Sequence, residues 1–277
     1  MKKKPWPEVG EGIDYTLLQD EWIPAPWINL GDWSETEDYR YACQQLALRL
    51  GQFIGIKARD CLLELACGYG AGLWLWQEAF GNQKCDALEF RKECVDYLEA
   101  NPPGNLDNLI ASKAEAFFAE HQPLSPSVEA CYDAILCVDA AYHFSSIQDF
   151  LGASLRMLKP GGRLGFHLFC LNSEKPLSPW IKKLFQQADI DSKEFRTEED
   201  LIQEMRQQGW QKVKVQDFTK PVFGGFASFI GRRSKQLRLG LRWKPAWFKI
   251  LTTAWLCGKV LKEESLKFMM VRAERNA

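Results

Sequence analysis

Glu64-Leu65-Ala66-Cys67-Gly68-Tyr69-Gly70-Ala71-Gly72 sets three glycines in nine residues, directly behind the apolar run Cys61-Leu62-Leu63. Glycine at that density is costly inside a strand or helix, because it gives up more backbone freedom than any other residue. An apolar run before the loop and a helical pattern after it make a strand, a Gly-rich turn and a helix. That order puts the loop at the carboxyl end of a first strand, where open α/β sheets bind ligands. Gly68 and Gly70 let a ligand approach the backbone, and the helix behind offers its first N–H groups. A tight turn with no ligand explains the same glycines. A dinucleotide site asks for G-x-G-x-x-G, whereas the spacing here is Gly68-x-Gly70-x-Gly72. Glu64 inside the turn is hostile to a pyrophosphate and suits a ligand that carries positive charge. Glu89 ends the next apolar run, and an acid there can accept hydrogen bonds from both hydroxyls of a ribose. As a plain strand-end acid it needs only water.

Outward from the loop, short apolar runs alternate with helical patterns. Strands are expected at 61–66, 85–90, 106–112, 131–138 and 163–170. Helices are expected at 71–80, 92–100 and from 145 or 146 to about 158. This alternation predicts a doubly wound, mostly parallel α/β sheet with helices on both faces. Helices at 179–187 and 198–208 follow, then strands at 211–217 and 266–272, with a helical insertion at about 222–261 between them. Upstream, Ser34-Glu35-Thr36-Glu37 matches a capping box. The helix behind it carries Tyr39, Cys43, Leu46 and Leu50 at helical spacing, with Gly51 as its expected stop. Residues 1–34 read as a Trp-rich cap, with Trp6, Trp22, Trp27 and Trp33.

Composition excludes more than it identifies. The chain has 277 residues, 46% of them hydrophobic and 26% charged, which is ordinary for a folded soluble protein, and its net charge is −1. Nine cysteines at irregular spacing fit a reducing cytoplasm, and Cys61, Cys131 and Cys137 read as buried small hydrophobes. With three histidines and no C-x-x-C pair, a metal site is not expected. The start, MKKKPWPEVGEG, is basic but lacks the apolar run of a signal peptide, and no run approaches a membrane span.

Glu64 to Gly72 resembles the first motif of class I S-adenosylmethionine (SAM)-dependent methyltransferases, with Ala66 in place of the first glycine. Asp86-Ala-Leu-Glu89 is similar to the second-strand acidic motif, and Tyr132-Asp133-Ala134-Ile135-Leu136-Cys137 to the fourth-strand motif. Leu158-Lys159-Pro160-Gly161-Gly162-Arg163-Leu164 is similar to the turn before strand five. The resemblance covers about residues 35–275. It implies a Rossmann-like sheet of seven strands, the last antiparallel between strands five and six, and SAM as the cofactor, left as S-adenosylhomocysteine. It implies that Ala66, Cys67, Gly68 and Gly70 line the methionine part. Glu64 helps hold the amino group, Glu89 binds the ribose, Ala114 and Glu115 lie near the adenine, and Phe90 and Val138 are further cofactor-binding candidates. Lys113 stands where the family often has Asp.

On the acceptor side, Val138-Asp139-Ala140-Ala141-Tyr142-His143-Phe144 resembles the segment of small-molecule O-methyltransferases that overhangs the same cleft. The resemblance makes Asp139 and His143 the catalytic candidates, with His143 a general base because imidazole titrates near neutral pH. A histidine packed under the cap and bonded to a carbonyl is the alternative. His167, on the fifth strand, is nearby, and no acid accompanies it. Trp27-Ile-Asn-Leu-Gly-Asp-Trp33 resembles the N-terminal segment of that subgroup. Trp33 is therefore a candidate wall for the acceptor, or an anchor of a wrapping segment. Asn101-Pro102-Pro103-Gly104 follows a helix and ends in glycine, so it reads as a helix stop rather than a base-methylating motif.

Residues 219–262 form a lid insertion within the 35–277 domain. Phe223, in a stretch that resembles the subgroup's lid, is a further acceptor candidate. Between Arg232 and Lys262 stand nine Lys or Arg and no acid, and Trp243 to Trp255 hold apolar residues at helical spacing. Two readings stay open: a lid whose basic face is solvated, or a peripheral contact with an anionic membrane through 232–262. Nucleic acid is not an expected partner, because the basic region is one segment without a binding motif. The expected activity is methylation of a small, fairly apolar acceptor, at oxygen. The alternatives are N- or C-methylation of a lipid-like or isoprenoid acceptor, or a SAM binder without catalysis. A dehydrogenase fits the glycine spacing poorly.

Overall fold

The computed structural model describes residues 13–20, 23, 25–121, 130–188 and 190–277. Trp6 and Trp22 of the expected cap lie outside these residues. The first helix, α1, runs Tyr39–Ile54, and its N-cap is Asp38, whose side chain accepts from the Tyr41 N–H. The capping box four residues earlier is therefore not used. Gly51 does not stop the helix, which runs on to Gly55 in the left-handed conformation. Gly51 has a packing reason instead: a Cβ there would lie 2.8 Å from the Phe80 ring and 2.9 Å from Trp76.

The chain then alternates as expected. β1 is Cys61–Leu65, α2 Ala71–Phe80, β2 Lys84–Glu89, α3 Lys92–Ala100, β3 Leu106–Ala111 and α4 Ala114–Glu120. β4 is Tyr132–Cys137, α5 Ile147–Met157, β5 Leu158–Leu171, α6 Pro179–Gln187, β6 Arg196–Thr197, α7 Glu198–Gln207 and β7 Trp210–Asp217. The insertion divides into a π-helical turn Lys220–Gly224, then α8 Gly225–Gln236, α9 Leu239–Arg242 and α10 Pro245–Glu263, before β8 Leu266–Arg275. α5 starts where Ser146 caps it, its side chain accepting from the Asp149 N–H.

The sheet order is β3-β2-β1-β4-β5-β8-β7. The pairs β2–β3, β1–β2, β1–β4 and β4–β5 are parallel, and β8 lies antiparallel between β5 and β7. The expected doubly wound sheet with an antiparallel last strand is present, and the two-residue β6 beside the end of β5 makes it eight strands rather than seven. β1 and β4 are buried along most of their length, as a sheet covered on both faces requires. Opposite Tyr132 and Ala134 the register of β5 jumps from Leu158 to Arg163, so Lys159 to Gly162 bulge out. Gly165 lets α1 lie close on β5, because a Cβ there would meet Ile54 at 2.5 Å. The strand order reverses between β1 and β4, which opens a crevice at their carboxyl ends.

Two layers close over that end. Residues 13–20, 23 and 25–33 form a strap, and the π-helical turn with α8–α10 forms a second covering layer, termed the lid. Strap and lid are fastened to each other: Gly225 admits Trp33, whose Cβ would lie 2.2 Å from an added Cβ, and Trp33 stacks on Phe229 at 4.5 Å. Arg233 of α8 donates to the Leu17 carbonyl and in two-pronged fashion to Asp20. The cysteines are free, and Cys137 is buried as expected. Cys61 is half-buried and Cys131 exposed, contrary to expectation, because both stand at the solvent end of their apolar runs. Among the described residues no helix is long and apolar enough to cross a membrane.

Candidate cofactor and acceptor site

The glycines of the loop answer to three different constraints. Ala66, Gly68 and Gly70 all have positive φ, at 54°, 60° and 78°, so the chain reverses direction between β1 and α2 through the left-handed region. Ala66 does so with a Cβ, at a cost of roughly 1–2 kcal/mol. A Cβ on Gly70 would meet Leu98 of α3 at 2.5 Å. A Cβ on Gly72 would fall 2.2 Å from the Glu64 carboxylate. Glu64 is thus covered by the first turn of α2, and Trp76 Nε1 donates to it at 2.7 Å. Burial pushes its pKa up to about 8, against the pull of the Trp76 bond.

Glu89, at the end of β2, is buried and fully engaged. Its oxygens accept from the Gly68 N–H at 2.8 Å and from the N–H groups of Phe90 and Arg91 at 3.0 Å each. The Arg91 guanidinium adds two donors at 3.1 and 3.0 Å. Burial alone raises its pKa; the hydrogen bonds and charge of Arg91 outweigh that and hold it below the ordinary carboxylate value. Over the loop, Ile28 of the strap comes within 3.3 Å of where a Gly68 Cβ would stand, and Arg91 within 3.6 Å. Strap and arginine therefore cover the face of the loop that a ligand would use. Arg91 was not among the residues the sequence singled out, and its place two residues after the acid was the available signal.

The loop after β4 gathers the acceptor candidates. Asp139 is buried, in the left-handed conformation at φ 50°. Its carboxyl accepts from the Leu30 N–H at 2.7 Å and from the Tyr142 hydroxyl at 2.8 Å. Burial pushes its pKa up to about 7, against both bonds. The Asp139 N–H donates to Nδ1 of His167 at 3.2 Å. Nδ1 is then the bare nitrogen, and the proton of the neutral ring sits on Nε2, which has no partner among the described residues. Burial pushes the His167 pKa down to about 3. His143 ends the short 3-10 turn Ala141–His143 and is exposed, its ring 4.7 Å from that of Tyr142. Tyr142 thus lies between the two catalytic candidates and stacks on Phe169 at 3.8 Å. Sequence reasoning passed over it.

The remaining candidates are scattered in burial. Phe223 is buried against Phe169 and Phe268 at 5.6 and 5.7 Å. Trp33 is held between strap and lid, its Nε1 donating to the Leu30 carbonyl at 2.8 Å. Phe90 is exposed, Val138 half-buried, and Ala114 opens α4. Exposed Glu115 accepts from the Ser145 N–H at 3.2 Å, tying α4 to the loop after β4. Cys67 is buried, its N–H donating to the Leu88 carbonyl. The structure thus brings Asp139, His167 and Tyr142 together, and separately Glu89, Cys67 and Gly68. Among the described residues no three His, Cys, Asp or Glu converge on a metal position.

Sheet order, glycine loop and strand-end acid together define a class I SAM-dependent methyltransferase fold. Residues 36–215 match a family described as a methyltransferase domain, and the chain belongs to that family. A curated relative, the malonyl-[acyl-carrier protein] O-methyltransferase of Methylococcus capsulatus, is 24% identical over 182 residues, 65% of this chain and 62% of its own length. Among solved structures, phosphoethanolamine N-methyltransferase 2 of Haemonchus contortus, with phosphomonomethylethanolamine and S-adenosylhomocysteine, superposes with a TM-score of 0.69 at 14% identity. That match covers 86% of this chain and 53% of the other. The geranyl diphosphate C-methyltransferase of Streptomyces coelicolor, with Mg2+, a geranyl thiolodiphosphate and S-adenosylhomocysteine, gives a TM-score of 0.65 at 14% identity, covering 91% and 85% of the two chains. The chain therefore spans less than two thirds of the first curated relative and about half of the first structural one.

Proposed function

We propose that the protein transfers the methyl group of SAM to an oxygen of a small, fairly apolar acceptor. One observation carries the reading: a buried carboxyl, Asp139, with its pKa pushed up to about 7, stands at the carboxyl end of β4. A group of that kind can take a proton from a hydroxyl near neutral pH. The surroundings are aromatic, with Tyr142, Phe169, Phe223 and Phe268 packed together, which suits an apolar acceptor.

SAM fits the donor set. Glu89 offers two carboxylate oxygens at the end of β2, and the loop from Ala66 to Gly70 presents backbone without bulky side chains. Two ribose hydroxyls would take the place of the two Arg91 donors on Glu89, and Ile28 would leave Gly68. Phe90, Ala114 and Glu115 would flank the adenine, with Val138 beside the methyl. Glu64, under α2, would act through the loop rather than by direct contact. When bound, SAM supplies an electrophilic methyl on sulfur. The chain positions the acceptor oxygen, excludes water with strap and lid, and removes the proton. Asp139 is held for that task by Leu30 and Tyr142. His143, on the exposed side of the same loop, is the second proton-accepting group. Trp33, His167 and Phe223 shape the acceptor side, and residues 1–34 act as its cap.

A second reading, a SAM binder without catalysis, is favoured by the two departures from the family pattern, Ala66 in the loop and Lys113 before α4. Labelled SAM incubated with the protein and a small-molecule extract separates the two. Label in the organic phase is the expected result. Label in the aqueous phase would replace the apolar acceptor with a polar one. Bound SAM with no transfer, across extracts of several sources, would favour the second reading. The product's chemistry then distinguishes an O-methyl from an N- or C-methyl group.

A further inference from the structure

Helix α10 carries two apolar faces, and a lid needs only one. Trp247, Ile250, Ala254, Cys257 and Val260 are buried against the fold. Phe248 and Trp255 point the other way and are 48% and 52% exposed. Seven residues apart, they lie on one side of the helix. Trp243, 76% exposed, extends the row at one end, its ring 6.3 Å from Phe248. Trp180 of α6 extends it at the other, 5.2 Å from Trp255. Single exposed apolar residues are ordinary, whereas two pairs of aromatic rings facing solvent on one side of a helix mark an interaction surface.

The charge along the segment that carries most of the row is of one sign. The stretch from 232 to 262 holds nine Lys or Arg and no acid. Lys235, Arg238, Lys244 and Lys249 are exposed, the last two next in sequence to Trp243 and Phe248, and Lys259 Nζ, paired with Glu263 at 2.8 Å, lies 5.8 Å from the Trp180 ring centre. Trp rings flanked by Lys and Arg are the composition that settles at a headgroup boundary, the rings at headgroup depth and the cations on lipid phosphates. We propose that this face docks on an anionic lipid bilayer. α6 follows the carboxyl end of β5 and the α8–α10 insertion follows that of β7. The docked face therefore lies at the same end of the sheet as Glu89 and Asp139, and a membrane-dissolved acceptor would enter from the bilayer. Docking itself does not depend on the methyl-transfer reading.

The test is co-sedimentation of the full chain with vesicles of phosphatidylcholine alone, and with vesicles carrying roughly one quarter phosphatidylglycerol. The protein is expected to sediment with the anionic vesicles at low salt, to stay in solution with the neutral ones, and to be released as salt rises. Joint replacement Lys244→Glu and Lys249→Glu should raise the lipid concentration for half-binding by at least about tenfold. Joint replacement of Trp243, Phe248 and Trp255 by Ser should abolish sedimentation, with melting temperature read for both variants. If the aromatic variant melts early, the lysine variant decides. Protein left in solution with anionic vesicles at low salt overturns the proposal. So does equal binding by the lysine variant, or a wild-type dimer that the Ser replacements dissolve without changing vesicle binding.

Discussion

Asp139 and Ala66 show how much one residue's surroundings decide. Burial raises the Asp139 pKa to about 7, above its unfolded value, so the folded state favours the neutral acid. The sign follows: its contribution to stability is full below the ordinary carboxylate pKa and is lost as pH rises towards about 7. Catalysis needs the opposite form. Turnover should therefore rise with pH through an apparent pKa near 7, and Asp139→Asn should flatten that rise. The same change should lower kcat by about 10²–10⁴-fold while SAM affinity holds. A pH profile unchanged in Asp139→Asn would shift the base role to His143. Ala66 makes a stability prediction. At φ 54° its Cβ is strained, so Ala66→Gly should stabilise the protein by about 1 kcal/mol, read from the urea midpoint. The sequence showed Ala66 as a departure from glycine, but only the backbone angle says that the departure is strained.

At the scale of elements, legibility followed length and periodicity. α2, α3 and α6 appear at the bounds their patterns gave, because Gly81 and Asn101 stop the first two and α6 opens on Pro179 with a clear apolar stripe. α1 began at Asp38 because that side chain reaches the helix N–H groups, which the box at 34–37 does not do. α4, seven residues long, is too short to show a period. The insertion was legible as helical but not as three helices: the break near Leu237 carries neither glycine nor proline, and Pro245, at the first position of α10, was the signal passed over at the second. The site divided in the same way. Glu89 and Asp139 were readable from their positions after strands. Arg91, Tyr142 and Leu30 were not, because their roles come from contacts far away in sequence or from side-chain direction. Gly225 is a sharp case of such a contact. Gly225→Ala would set a methyl against Trp33, so the variant should lose about 1–3 kcal/mol in denaturant unfolding. An unchanged midpoint would mean that strap and lid part there at little cost.

Across the whole molecule, the sheet supplies the crevice, and two segments that the sheet does not need close it. The strap bonds to Asp139 through Leu30 and rests on Gly68 through Ile28. The lid bonds to the strap through Arg233 and Trp33. The proposed cofactor and acceptor positions are thus covered by one connected layer, so an opening of strap and lid should precede binding. The layer also accounts for why its chemistry was hard to read: its contacts join residues up to 216 positions apart. The central claim is that this crevice holds SAM with Glu89 on the ribose. The most direct test is calorimetric titration of SAM into the wild type and into Glu89→Gln, with melting temperatures confirming that both are folded. The account predicts saturable binding to the wild type, weakened roughly 10–100-fold in Glu89→Gln by the loss of charged hydrogen bonds. No binding to the wild type, or equal binding to both, would contradict it.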